Sequence, residues 1–120
     1  MAHDKDPPQP IPASWRKKVA SILRSSDKGK VIVHHRPRVE FEARFPNAWP
    51  YDRNEAMASA LDDPAITGKQ IFGMREDGEV WAFWFTFQRV RLYGKINLTS
   101  GGEIIIIYSA HVPNKGDKHL

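Results

Sequence analysis

The chain has 120 residues, of which 41% are hydrophobic and 27% charged, so its length and composition are those of one ordinary globular domain and not of a disordered protein. It contains no cysteine, which excludes disulfides and zinc–thiolate sites. The net charge of +4 is too modest to indicate nucleic-acid binding by itself.

The N-terminus lacks the basic and apolar parts of a secretory signal, and the longest aliphatic run is Ile104 to Ile107. We therefore expect a cytoplasmic protein without a membrane partner.

The first part of the chain predicts a leader followed by a helix. Residues 1–13 contain four prolines and no hydrophobic periodicity, which is typical of a flexible leader, and residues 14–120 are predicted to form a single domain. Ser14 is predicted to cap a helix that ends near residues 25–27 and has one apolar face. The apolar positions are Trp15, Val19, Ile22 and Leu23.

Two strands are predicted next. Lys30–His35 has the composition of a strand, and Pro37 indicates an edge or a bend just after it. Val39–Ala43 alternates between apolar and polar residues, which predicts a half-buried strand.

An aromatic loop and a second helix are predicted after these strands. Phe45–Tyr51 is irregular but aromatic, so we expect it to pack over the edge of the core. Asp52 followed by Glu55 is a capping-box pattern, which predicts a short helix that Pro64 terminates.

The last third of the chain predicts an antiparallel meander. Gln70–Met74 is a strand, residues 76–78 form a turn, and Glu79–Phe87 is apolar on both faces, as in the centre of a sheet. A hairpin through Thr99–Gly102 leads to the last strand, Glu103–Ser109. The sequence therefore predicts an α+β fold, in which an N-terminal helix and a short second helix pack on a twisted antiparallel sheet.

The pattern of polar residues changes at Gln88. Odd positions are apolar before it and polar after it, so a bulge or bend is predicted there, because side chains alternate with a period of two. The polar odd positions would project from one side of a strand about 6.8 Å apart, close to the spacing of phosphates on an extended nucleic-acid strand. They are Arg89, Arg91, Tyr93, Lys95 and Asn97. The alternative is an ordinary solvated strand face.

A serine and a histidine lie at the end of the predicted last strand. Pairing of that strand with the basic row would place Ser109 and His111 near Arg91 and Tyr93. Histidine can transfer the proton of the 2′-hydroxyl or of the leaving group near neutral pH, and cationic side chains can stabilise the charged phosphorane. These groups suffice for RNA cleavage without a metal, although a histidine at a strand end is also commonly structural.

A second cluster places His34 and His35 beside Arg36 and Arg38. Adjacent strand residues point to opposite faces, so only one of the two histidines can join a given site. The sequence has no HxH or HExxH pattern and no glycine-rich phosphate loop. We therefore predict neither a metal site nor a cofactor.

The layout resembles the barnase–EndoU–colicin–RelE class of small ribonucleases, especially its phage-borne and toxin–antitoxin members. The resemblance extends over residues 31–113 and depends mainly on the segment ALDDP before the sheet and on the hairpin GKINLTSGGEIIIIYSAHVP. It implies metal-independent cleavage of RNA by a protein that a small antitoxin or immunity protein holds inactive.

The resemblance also implies roles for individual residues. Arg89, Arg91 and Lys95 match the phosphate-binding cations of the class, and Tyr93 matches a base-stacking residue. The positions that match its other polar site residues are Ser109, His111 and either His34 or His35. The chain lacks the strongly basic balance of RelE-like proteins, which disfavours ribosome binding.

The function predicted from the sequence is an RNA endonuclease that leaves a 2′,3′-cyclic phosphate. Its catalytic candidates are His111, His35, His34, Arg91 and Ser109, and its nucleic-acid-binding candidates are Arg89, Arg91, Tyr93, Lys95 and Asn97. The alternative is a non-catalytic module that binds nucleic acid or a protein partner, which the aromatic loop and the separation of basic from acidic segments favour. A phage structural or inhibitory protein is a third hypothesis.

Overall fold

The computed structural model describes residues 7–25 and 27–113. In this part of the chain, three helices pack on a six-stranded sheet, so the predicted α+β fold is confirmed. The helices are α1 (Ala13–Arg24), α2 (His35–Arg44) and α3 (Pro50–Asp62). The strands are β1 (Gln9–Pro10), β2 (Val31–Val33), β3 (Thr67–Ile71), β4 (Gly78–Phe87), β5 (Val90–Thr99) and β6 (Ile105–His111).

The strand order in the sheet is β1-β3-β4-β5-β6-β2. The four strands from β3 to β6 form the predicted antiparallel meander. At one edge β1 pairs antiparallel with β3, and at the other edge β2 pairs parallel with β6. None of the helices that the structure describes has the length and apolar character needed to cross a membrane.

The helices cover one face of the sheet, which we call the helix face, and the opposite face is called the far face. The predicted apolar side of α1 is confirmed, since all four of its predicted residues are buried. They pack with α3 and with inward side chains of the sheet. The large side chains of this core that are fully buried include Trp15, Leu23, Met57, Leu61, Phe83, Leu92, Ile96 and Ile107. Burying side chains of this size stabilises a fold by about 1.5–3 kcal/mol each.

The beginning of the structure differs from the predicted flexible leader. Gln9–Pro10 forms β1, Ile11 is buried in the core, and α1 begins after Pro12 without a cap from Ser14. Buried Arg16 donates hydrogen bonds to the carbonyls of Ile11 and Leu61, which fastens this segment to α3. Most of the remaining leader and the predicted polar tail from residue 114 lie outside the described residues.

The prediction that Val39–Ala43 is a strand is wrong, because these residues belong to α2. Pro37 and Phe41 lie one helical turn apart and are both buried, whereas Val39 is 45% exposed. Proline is tolerated in the first turn of a helix, and the arginine, glutamate and alanine residues that follow favour helix. Alternation over five residues was too short to distinguish the two periods.

Helix α3 begins at Pro50, two residues before the predicted cap. The carboxylate of Asp52, the third residue of the helix, accepts a hydrogen bond from the backbone N–H of Trp49 at 3.0 Å. Asp52 therefore supplies a partner for a backbone N–H group at the start of the helix. The helix ends at Asp62, before Pro64, as predicted. Strand β3 both begins and ends three residues earlier than the predicted strand Gln70–Met74. Residues 72–77 therefore form a loop.

Candidate functional site

Strands β4 and β5 are joined by a two-residue hairpin turn at Gln88 and Arg89. Phe87 pairs with Val90, and the φ angles of the two turn residues are 49° and 67°. This conformation is that of a primed hairpin turn. The predicted break at Gln88 is therefore real, but it is a reversal of the chain and not a bulge. Arg89 belongs to the turn, so its predicted place in the strand row is wrong.

The other four residues of the predicted row share the far face, but they do not form an exposed basic row. Tyr93 is 5% exposed and Asn97 is completely buried. Arg91 is exposed and Lys95 is half-buried. The prediction of five projecting side chains that track phosphates is thus wrong, because two of them are packed into the protein.

A row of rings crosses the far face perpendicular to the strands. The guanidinium of Arg91 lies 4.3 Å from the ring centroid of Trp84, a cation–π contact. Trp84 meets Tyr93 edge-on at 5.9 Å between centroids, and Tyr93 lies 5.6 Å from His111. Strand pairing produces this row, since Tyr93 is the direct neighbour of Trp84 on β4 and of His111 on β6.

A β-bulge in β6 decides which face carries Ser109 and His111. Ile107 pairs with Ile96, but Ser109 pairs with the preceding residue Lys95, so Tyr108 is an extra residue in the ladder. Odd residues before the bulge face the helices. In a regular strand of the same sequence, Ser109 and His111 would also face the helices, because side chains alternate along a strand. The bulge instead directs them to the far face.

These residues line a concavity of about 310 Å³ at the junction of β5, β6 and the start of α2. It brings together four of the candidates predicted from the sequence. The full lining is His34, Arg36, Pro37, Glu40, Lys95, Tyr108, Ser109 and His111. The two remaining catalytic candidates lie elsewhere: Arg91 is at the opposite end of the ring row, and His35 contacts Arg38 at 3.3 Å.

His34 reaches the concavity because β2 runs parallel to β6. Its backbone N–H donates to the carbonyl of Ile107 at 3.2 Å, and the same residue immediately precedes α2. Its ring packs edge-on against Tyr108 with 4.9 Å between centroids. Its Nε2 atom lies 3.9 Å from Oε2 of Glu76, a distance that forms an ion pair when the ring is protonated.

A polar network supports the floor of the concavity. The hydroxyl of Tyr108 donates to Oε1 of Glu76 at 2.7 Å and accepts from Nδ2 of Asn97 at 3.0 Å. Asn97 also donates to the backbone carbonyl of Glu76 at 3.1 Å. The hydrogen bond from Tyr108 lowers the pKa of Glu76, while desolvation is the main reason that the pKa of Tyr108 is raised. Glu76 is therefore a carboxylate and Tyr108 a neutral donor at neutral pH.

The orientation of His111 follows from its contact with the main chain. Its Nδ1 atom lies 2.8 Å from the carbonyl oxygen of Val112. A carbonyl oxygen only accepts hydrogen bonds, so Nδ1 carries the proton and Nε2 carries the lone pair of the neutral ring. This is the tautomer that a proton acceptor at Nε2 requires.

Sequence reasoning did not identify Arg36, Glu76 and Tyr108 as parts of one site. Arg36 forms an ion pair with Glu40 at 2.8 Å on the rim, and Glu76 comes from the loop between β3 and β4. Tyr108 is the last residue of the apolar run IIIIY. A bulge has no signature in that run, so no sequence signal indicated that Ser109 and His111 share the far face with Tyr108.

A larger concavity of about 880 Å³ lies between α3 and the end of β4. Its titratable lining includes Asp52, Glu55 and Asp63, and it contains no arginine, lysine or histidine. That charge repels a polyanion, so the smaller concavity is the better candidate for binding a phosphate. Within residues 7–25 and 27–113, no three His, Asp or Glu side chains cluster in a way that could hold a metal ion.

The site thus combines two imidazoles, a lysine and an arginine on one concave surface, with a carboxylate and a tyrosine behind them. Chemically, it can transfer protons near neutral pH and stabilise an anion. No protein-family model, no curated protein and no solved structure matches the chain.

Proposed function

We propose that the chain is a metal-independent RNA endonuclease whose active site is the concavity between β5, β6 and the start of α2. The observation that supports this function best is that His34 and His111 line the same small concavity as Lys95. Two histidines supply both proton transfers of RNA cleavage, and a cation supplies the charge stabilisation.

The reaction is a transesterification within the RNA. A base removes the proton of the 2′-hydroxyl, and the 2′-oxygen forms a bond to the adjacent phosphorus. The bond between phosphorus and the 5′-oxygen breaks, and an acid donates a proton to that leaving oxygen. The products are a 2′,3′-cyclic phosphate and a 5′-hydroxyl, and no electrons or additional reactants are required.

The surroundings of the two histidines assign their roles. His111 is the general base, because its Nδ1 proton is engaged by the carbonyl of Val112 and Nε2 has the lone pair. His34 is the general acid, because the carboxylate of Glu76 pairs with the protonated ring. Each histidine ends the reaction in the protonation state from which the other began, so the cyclic phosphate can be hydrolysed by the reverse roles.

The cations of the site act on the phosphate. Lys95 on β5 and Arg36 on α2 both line the concavity and stabilise the negative charge of the phosphorane. Arg91, stacked on Trp84, is exposed and binds a neighbouring phosphate of the same strand. RNA binding by this site therefore depends on three separated cations and not on a continuous row.

This proposal agrees with what the resemblance to the barnase–EndoU–colicin–RelE class implies. A toxin-type ribonuclease of this class would have RNA as its substrate and an antitoxin or immunity protein as its partner. The resemblance matched His111 and Ser109 to the polar site of the terminal strand, and both residues line the proposed active site.

Cleavage of single-stranded RNA in the presence of EDTA tests the proposal. We expect activity without divalent metal and products that carry 2′,3′-cyclic phosphate ends. His111→Asn and His34→Asn should each lower the rate by about 10²-fold or more, because each removes one proton transfer. His35→Asn is the matched control: it removes an exposed neighbouring histidine outside the concavity and should leave the rate unchanged.

A substrate analogue separates the enzyme from a non-catalytic binding module. An oligonucleotide of the same sequence with 2′-deoxyribose throughout lacks the attacking hydroxyl, so it should bind and remain intact. Loss of cleavage on adding EDTA, or a wild-type rate in the double variant of His34 and His111, would refute the mechanism. Binding of RNA without any cleavage would identify a binding module instead.

A further inference from the structure

A second concavity, which we call the edge groove, lies between the outer edge of β2 and the beginnings of α2 and α3. Its volume is about 570 Å³. The lining residues that matter here are Val31, Val33, Arg38, Tyr51 and Arg53. The edge groove shares no lining residue with the proposed active site, so the two surfaces can be tested separately.

The outer edge of β2 is not covered by another strand. β2 is the last strand of the sheet and pairs with β6 on one side. Alternate residues of a strand direct their N–H and C=O groups to opposite edges. Because His34 donates its N–H to Ile107 on β6, Val31 and Val33 direct theirs away from β6. Among the described residues, no other strand of the sheet pairs with this edge of β2.

The floor of the edge groove contains a buried cation without a counter-ion. The Arg53 side chain belongs to a residue that is only 4% exposed, and both of its hydrogen bonds go to Oδ1 of Asn54, at 3.0 and 2.9 Å. Its guanidinium also lies 5.7 Å from the ring of Phe41. Within the described chain, no carboxylate is within ion-pair distance of it.

Burial without an anion is unfavourable for an arginine. Desolvation lowers the pKa of Arg53, and the nearby Glu42 only partly opposes this effect. Buried charges in proteins are normally paired, since desolvating an ion costs several kcal/mol. An anion that entered the groove would offset this cost, and the planar guanidinium suits a carboxylate particularly well.

The charges around the groove select an acidic ligand. Arg38 and Arg53 both line it, whereas its one carboxylate, Asp27, accepts the N–H of Gly29 at 3.0 Å. The exposed ring of Tyr51 and the side chains of Val31 and Val33 provide an apolar wall. A ligand for this groove therefore needs an extended backbone, small apolar side chains and a carboxylate.

We propose that the edge groove binds an extended acidic segment of a partner protein, which adds a strand beside β2 and places an Asp or Glu carboxylate on Arg53. The backbone of the segment pairs with Val31 and Val33. Its side chains point alternately to the two faces of the sheet, so those on the helix face enter the groove and reach Arg53 and Arg38. Because β2 has only three residues, the carboxylate contact determines much of the affinity.

Two sets of short peptides, capped at both ends, test this proposal on the full chain. In one set β-branched residues alternate with glutamate, and in the other they alternate with glutamine. We expect the glutamate set to bind and to shift the amide resonances of Val31 and Val33 and the Nε resonance of Arg53. The glutamine set should bind about 10-fold more weakly or worse, because it lacks the charge-assisted hydrogen bonds.

Three variants locate the binding site. Arg53→Met should weaken binding of the glutamate peptides about 10-fold or more. Val33→Pro should do the same, because proline removes an outward N–H and leaves the side that pairs with β6 intact. Arg75→Gln is the matched control, since it removes one exposed positive charge outside the groove and should change binding less than about twofold.

Several results would overturn the proposal. Equal binding of the two peptide sets would remove the role of the carboxylate, and so would an Arg53→Met variant that keeps its thermal transition and binds normally. If Arg53→Met does not fold, the Val33→Pro variant takes its place, and wild-type affinity of that variant for the glutamate peptides would overturn the proposal. Resonance shifts in the groove caused by an RNA oligonucleotide, but by neither peptide set, would assign the groove to nucleic acid. RNA cleavage does not enter any of these measurements.

Discussion

The two faces of the sheet bury their side chains by different means. On the helix face, Phe83 and Leu92 are fully buried among other apolar groups from α1 and α3. On the far face, the fully buried Asn97 and the nearly buried Tyr108 are held by hydrogen bonds to each other and to Glu76. The helix face is a conventional core, whereas the far face buries polar groups beside a concavity.

This difference indicates where stability and positioning originate. Apolar burial stabilises the fold without requiring exact partners. A buried polar group stabilises only if its partners are in place, so a satisfied polar network holds its members in one arrangement. The network of Asn97, Tyr108 and Glu76 ends at His34, so it positions the proposed acid and should contribute less to fold stability than the apolar core does. Four measurements can break or sharpen this contrast.

The largest effect is expected on the helix face. Phe83→Ala should lower the free energy of unfolding by about 3–5 kcal/mol, because it leaves a cavity where Phe83 packs against Trp15 and Phe85. Urea denaturation measures this difference. Ile32→Ala, on the far side of β2 and 46% exposed, is the control and should cost less than about 1 kcal/mol. Similar losses for the two variants would contradict the assignment of the main core to the helix face.

A smaller effect on stability is expected from Tyr108→Phe. The variant keeps the ring but removes the hydroxyl that links Asn97 to Glu76, so it should lower the free energy of unfolding by about 1–3 kcal/mol. It should also reduce RNA cleavage, since Glu76 loses the hydrogen bond that orients it toward His34. Tyr51→Phe, at an exposed tyrosine, should change neither quantity. Unchanged stability in Tyr108→Phe would contradict the contribution of these two hydrogen bonds to the fold.

The stabilisation from Glu76 should depend on pH. The hydrogen bond from Tyr108 lowers the folded-state pKa of Glu76 below its ordinary value of 4.5. A lowered pKa means that the stabilisation is present above pH 4.5 and is lost as the pH falls through the folded-state value. The difference in denaturation midpoint between wild type and Glu76→Gln should therefore shrink as the pH falls below 4.5. A difference that grows in acid would reverse the sign of the shift.

The smallest effect is expected at the surface between α1 and α3. Arg24 forms ion pairs with Glu55 and Asp62, both at 2.7 Å, and these contacts lower the pKa of Asp62. All three side chains are at least a third exposed, so solvent screens the pairs. Arg24→Gln should cost about 1 kcal/mol or less, and the loss should disappear in concentrated salt. A larger loss that resists salt would mean that these pairs belong to the core.

Much of the fold could be predicted from the sequence where a pattern was long or unambiguous. The four apolar residues of α1 recur at helical spacing over nine residues, and Glu79–Phe87 is too apolar for any position except the centre of the sheet. Two of the three chain reversals in the meander, near residues 76–78 and 99–102, were marked by the residue pattern, whereas the hairpin turn at Gln88 was predicted only as a bulge or bend. Val39–Ala43 was mispredicted because its five residues are compatible with both periods, and packing of Phe41 decided in favour of helix.

The candidate site could be predicted only in part. Its residue types were visible, and four of its members were named from the sequence: His34, Lys95, Ser109 and His111. The prediction of a row of five exposed side chains was wrong because Arg89 lies in a turn and because Tyr93 and Asn97 are buried. Arg53 in the edge groove gave no signal at all, since a lone arginine in an amphipathic helix is usually solvated.

The sequence by itself determined the secondary-structure content, the meander and the chemical groups available for function, because these depend on residue type and on contacts between near neighbours. Only the tertiary structure decided which of those groups meet. The parallel pairing of β2 with β6 brings His34 to the site, and one extra residue in β6 turns Ser109 and His111 toward it. Both features depend on pairing between residues far apart in the chain. Packing of the whole sheet selects this pairing over alternative registers that local preferences do not distinguish.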